Sequence, residues 1–84
     1  MKIVFSTDAW ESYVVWQTQD PKLLLRINAL IKECQRTPFY GIGKPEPLKG
    51  SMAGWWSRRI NQEHRLVYRV EGDNLLIAQC RYHY

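Results

Sequence analysis

Metal ligands and membrane anchors are both scarce in this chain. Two cysteines and two histidines are spread over 84 residues, too few and too scattered for the four-ligand cluster of a structural zinc site. Cys34 and Cys80 lack CxxC spacing and sit in apolar stretches, which points to reduced, buried thiols rather than a disulfide or a metal pair. No metal and no cofactor is expected. Apolar runs are short as well. The start turns polar at Ser6, Thr7 and Asp8, so neither a signal segment of roughly 7–15 apolar residues nor a span of ~20 is present, and a cytoplasmic protein is expected. Glycine and proline are rare except in one place. Residues 37–54 hold three of the four prolines and four of the five glycines, which marks a loop and leaves the rest free for regular elements.

Aromatic residues are plentiful. Four tryptophans and five tyrosines, within a hydrophobic fraction of 45%, suffice for one small core without staples, so residues 1–84 read as a single domain. Twelve basic against eight acidic side chains give a net charge of +4, a balance that favours polyanionic partners. Arg58, Arg59 and Arg65 fall close together in the C-terminal half.

Lys2 to Ser6 suit a first strand. Ser6, Thr7 and Asp8 offer N-cap oxygens, with capping-box spacing from Asp8 to Glu11, and residues 8–19 set Trp10, Tyr13, Val14 and Trp16 toward one side of a helix. Asp20-Pro21 restarts the chain as cap and first helical residue. Leu23, Ile27, Leu30, Ile31 and Cys34 then recur at helical spacing up to Thr37-Pro38. After the loop, residues 55–61, 65–70 and 75–82 read as three strands joined by two tight turns. The order is β-α-α-β-β-β, an α+β fold with a helical hairpin packed on a twisted, mainly antiparallel sheet.

Period-two alternation sorts the strand side chains. Leu66, Tyr68 and Val70 face the helices, leaving Arg65, Val67 and Arg69 on the other side. On the last strand, Ala78 and Cys80 are the expected core set, which puts Arg81 and His83 beside Arg65. A sheet face lined with guanidinium groups and one imidazole attracts phosphate. Glu46, between two prolines, has a fixed backbone that an idle surface acid does not need.

Together these groups match a reaction. Cleaving RNA without a metal takes a base for the 2′-hydroxyl, cations for the growing phosphorane charge and an acid for the departing 5′-oxygen. A glutamate, arginines and a histidine supply those parts, and the need for a 2′-hydroxyl excludes DNA. A carboxylate is by itself a weak base for a hydroxyl, so pre-organisation and charge stabilisation are expected to carry most of the rate.

The segments Thr37-Pro-Phe-Tyr-Gly-Ile-Gly-Lys-Pro-Glu-Pro-Leu-Lys49, Trp56-Ser-Arg-Arg-Ile60, Glu63-His-Arg-Leu-Val-Tyr68 and Cys80-Arg-Tyr-His-Tyr84 resemble, in order, the YoeB toxins of the RelE superfamily. The resemblance spans essentially the whole chain. It implies a RelE-like fold and an mRNA interferase that enters the ribosomal A site, cuts mRNA and leaves a 2′,3′-cyclic phosphate. It further implies a homodimer and inhibition by an antitoxin of the YefM type. By matching positions, Glu46 is the general base, His83 the general acid and Arg65 the stabiliser of the phosphorane. Lys49 and Arg59 hold phosphate or help stabilise charge, and Tyr84 helps place the scissile nucleotide.

Two other readings stay open at this point. A non-catalytic RNA- or ribosome-binding module needs the charge and aromatics but not Glu46 and His83. A ParE-type gyrase toxin shares the superfamily fold but has no use for the Glu46, Arg65 and His83 set.

Overall fold

The computed structural model describes residues 1–83. The chain runs β1 (Lys2–Phe5), α1 (Thr7–Gln19), α2 (Pro21–Arg36), β2 (Glu46–Pro47), a 3₁₀ turn (Gly50–Met52), β3 (Trp56–Arg59), β4 (Arg65–Glu71) and β5 (Asn74–Gln79). The strands form one sheet in the order β1-β5-β4-β3-β2. Among the described residues only β1–β5 is a parallel pair; the other neighbours are antiparallel. The α+β fold with a helical hairpin on a mainly antiparallel sheet is thus as expected, with one addition: β2 forms inside the proline-rich loop.

Helix starts follow the capping chemistry. Ser6, rather than Asp8, caps α1, its Oγ accepting from Ala9 N–H at 3.0 Å and donating to the Ala78 carbonyl at 2.8 Å. Asp20 accepts from Leu23 N–H at 3.1 Å, with Pro21 in the first turn. The stripe Leu23, Ile27, Leu30, Ile31 and Cys34 is buried as predicted. On α1 the buried positions are Ala9 and Trp16, with Tyr13 packed at the edge, whereas Trp10 and Val14 are exposed. The spacing 9, 13, 16 marks one stripe, and each neighbouring position lies about 100° away from it.

The core joins these helices to Leu66, Tyr68, Leu75, Ile77 and Cys80. The expected parity on β5 therefore needs correction. Leu75 and Ile77 face the helices instead of Leu76 and Ala78, yet Cys80 is also buried. A bulge reconciles them: Val67 pairs with Gln79 but Tyr68 pairs with Ile77, so Ala78 is an extra residue that shifts the alternation.

Both cysteines are free and fully buried. Removal from water pushes each thiol up to about 11, and Tyr68 up to about 12. The folded chain therefore keeps protons that the unfolded chain releases. Their stabilising contribution is whole below about pH 9, the ordinary thiol value, and is lost as the pH rises through about 11. Urea titrations should show the folded state weakening across that window, and Cys80→Ala should flatten the decline. An unchanged slope in that variant contradicts the assignment.

Among the described residues, no helix is long and apolar enough to cross a membrane.

Candidate active site

Glu46 reaches the sheet through a sharply turned loop. Gly41, Gly43 and Lys44 all adopt positive φ. At Gly43 (φ +82°) a Cβ would lie 2.8 Å from a Leu30 methyl and 3.3 Å from the Arg59 carbonyl, so only glycine fits this close crossing. The Gly43 carbonyl accepts from Arg59 N–H at 2.7 Å. Beneath the loop, Arg58 is fully buried and acts as its anchor. Its guanidinium donates to the Thr37, Tyr40 (3.0 Å) and Ile42 (2.9 Å) carbonyls, and its Nε donates to the Tyr68 hydroxyl at 3.1 Å. The chain then lays Glu46-Pro47 against β3.

Register fixes which side chains share a face. Glu46 pairs with Ser57, Ser57 with Val67 and Val67 with Gln79, a row crossing four strands. Arg59 pairs with Arg65 two positions along. All six belong to the sheet face opposite the helices, because their alternates Arg58, Leu66, Tyr68 and Ile77 turn inward. With strands about 4.8 Å apart, the Glu46 and Val67 backbones lie about 10 Å from each other.

This face is less exposed than a bare sheet. Ser57 and Val67 are buried, and Leu48 is buried beside the row, its N–H held by the Trp55 carbonyl at 2.9 Å. Arg65 is only 7% exposed. Its Nη1 donates to the main-chain carbonyls of Asn61 (2.7 Å) and His64 (3.0 Å). Those partners are neutral, so they orient the guanidinium without cancelling its charge. Arg59 and Lys49 are exposed, Lys49 on the connection that follows β2.

The segment after β5 doubles back onto β4. The Gln79 side-chain amide donates to the Tyr82 carbonyl at 3.1 Å and the His83 carbonyl at 3.0 Å, and Arg65 N–H reaches the same Tyr82 carbonyl at 3.1 Å. His83 is thereby tethered to the Gln79 end of the row that begins at Glu46. It also lines a groove of about 450 Å³ shared with Asp8, Glu11 and Ser12 of α1. Arg81 departs from expectation. It turns away from Arg65 and stacks on Trp16 (5.1 Å) and Tyr82 (4.8 Å), because β5 ends at Gln79 and the chain bends through Tyr82, so strand alternation no longer governs it. Tyr84 lies outside the described residues. Among those described, no cluster of three or more His, Cys, Asp or Glu side chains could hold a metal ion.

The structure thus brings Glu46, Arg59 and Arg65 to one face and ties the His83 backbone to its edge. It adds Gln79, which carries the tether, and His64, whose Nδ1 accepts from Tyr82 N–H at 2.7 Å. Gln79 shares the period-two set of Arg81 and His83, but nothing in the spacing gave it a role, and nothing singled out His64.

Comparison with known proteins supplies the family. Residues 5–84 match the YoeB-like toxins of bacterial type II toxin–antitoxin systems. The chain belongs to that family. Toxin YoeB of Escherichia coli K12 is 57% identical over 84 residues, covering all of both chains. The YoeB/ParE toxin of Agrobacterium tumefaciens superposes with a TM-score of 0.97 at 55% identity, again covering both chains fully. The YoeB of Staphylococcus aureus has been solved as a dimer and in a heterotetrameric YoeB–YefM toxin–antitoxin complex. Both match this YoeB-like chain with a TM-score of 0.93 at 48% identity, over 100% of it and 98% of theirs.

Proposed function

We propose that this YoeB-like toxin is a ribosome-dependent endoribonuclease that cuts mRNA in the A site without a metal. The observation that carries the reading is the register placing Glu46 on the same sheet face as Arg59 and Arg65. Glu46 takes the 2′-hydroxyl proton, and the freed oxygen attacks phosphorus. Arg65 stabilises the pentavalent charge while Arg59 and Lys49 hold neighbouring phosphates. The bond to the 5′-oxygen breaks as His83 delivers its proton, and Tyr84 places the scissile nucleotide. The products are a 2′,3′-cyclic phosphate and a 5′-hydroxyl. The toxin works in the cytoplasm, where its substrate is translated. By analogy with the S. aureus structures, it forms a homodimer and is held in check by an antitoxin of the YefM type.

The test uses programmed ribosomes and end-group analysis. A message with an all-ribose A-site codon should yield the cyclic phosphate, and a single 2′-deoxy substitution at the scissile nucleotide should abolish cutting there. Cleavage that persists at the deoxy position, or ends carrying 3′-hydroxyl and 5′-phosphate, contradicts the mechanism. Binding to ribosomes with no cleavage at all supports a pure binding module instead.

A further inference from the structure

His64 is an unusual residue for a hairpin turn. It is 6% exposed, packed edge-on against Trp16 at 4.9 Å and beside the Tyr82 ring at 5.7 Å. Its backbone is locked: Asn61 Oδ1 accepts from the N–H groups of Glu63 (2.8 Å) and His64 (2.7 Å), and the His64 carbonyl accepts from Ile60 N–H (3.0 Å) and from Arg65 Nη1 (3.0 Å). The turn that fixes Arg65 therefore also fixes the imidazole.

That imidazole accepts a backbone proton. Tyr82 N–H points at Nδ1, so Nδ1 carries the lone pair and the ring proton sits on Nε2, which lies 3.5 Å from Glu63 Oε1. Tyr82 itself holds φ +62°, a left-handed conformation that costs energy in any residue with a Cβ. Such strain persists only where the surroundings over-determine it. Here the Tyr82 amide is held by His64, while its carbonyl is held by Arg65 N–H and Gln79. The direction taken by His83 follows from that one strained residue.

We propose that His64 is a positioning residue: its Nδ1 latches Tyr82 in the left-handed conformation and so aims the tail that carries His83 toward the phosphate held by Arg65. This rests on the nuclease reading above. The latch predicts that the acceptor at the Nδ1 position, rather than the aromatic ring, is what the tail requires.

Three variants separate those demands. His64→Leu fills the space but accepts nothing. His64→Asn places a carbonyl oxygen near the Nδ1 position, and His64→Gln places one nearer Nε2. Single-turnover cleavage on ribosomes should fall about 10²-fold in His64→Leu, the scale of a misplaced catalytic group, with KM unchanged. Hydrogen exchange at the Tyr82 amide should accelerate in the same variant. His64→Asn should restore most of the rate and the protection. His64→Gln should behave like His64→Leu, and carries the comparison if the leucine variant does not fold. A folded His64→Leu or His64→Gln with normal cleavage and a protected Tyr82 amide overturns the latch, as does equal damage in His64→Asn and His64→Gln. If the unmodified toxin makes no cyclic phosphate, the nuclease reading falls, while Tyr82 exchange across the three variants still decides whether the latch exists.

Discussion

Replacing Arg65 by alanine is expected to slow single-turnover cleavage by about 10³-fold, the upper range for losing one pre-organised charge-stabilising donor. The expectation follows from how the side chain is held. It is nearly buried, and its Nη1 is fixed by neutral main-chain carbonyls. In the proposed mechanism that held, undiminished charge meets the phosphorane, and nothing must reorganise as the charge grows. The loss should equal or exceed that of Glu46→Gln, since an exposed carboxylate is a weak proton acceptor and contributes less than the fixed cation. Arg65→Lys should recover only part of the rate, because an ammonium cannot reproduce the planar fork. Circular dichroism and ribosome binding control for damage to the 61–64 turn. A folded Arg65→Ala protein with a near-normal rate contradicts the account.

His83→Ala should keep ribosome binding and lose cutting by about 10²–10⁴-fold, the range for general-acid catalysis. A substrate modification isolates the proton transfer. If sulfur replaces the bridging 5′-oxygen at the scissile bond, the leaving group departs without protonation, and His83→Ala should then cut nearly as fast as the unmodified toxin. An equal defect on both substrates assigns His83 some other role. The tether from Gln79 to the His83 carbonyl makes a related point, because it positions the residue through the backbone.

How far the sequence could be read depended on how local each signal was. Helix α2 was legible because its apolar stripe, its Asp20-Pro21 start and its Thr37-Pro38 stop all lie within one segment. Helix α1 was less so: Trp10 and Val14 look like core by composition but fall off the buried stripe, and only the packed fold shows this. The bulge at Ala78 has no glycine or proline to announce it, since it arises from pairing between β4 and β5. It misdirected the first half of β5, yet left Cys80 in the expected place, whereas Arg81 escapes the alternation because the strand has already ended at Gln79.

The candidate site divides in the same way. Glu46 stood out because two prolines and nearby glycines mark a shaped loop. Arg58 and Arg59 looked equivalent as neighbours, but strand alternation sends one inward as the loop's anchor and leaves the other facing solvent. His64 acquires its role only when the segment after β5 folds back across 18 residues of sequence, a contact that no local pattern encodes.

A structure of the toxin on a ribosome programmed with a 2′-O-methyl A-site codon tests the central claim most directly, because the substrate stays uncut. The account predicts one phosphate within about 3 Å of the Arg65 guanidinium, with Glu46 facing its 2′-oxygen and His83 facing its 5′-oxygen. A phosphate seated on the helix side of the sheet, or Glu46 and Arg65 engaging different phosphates, contradicts it.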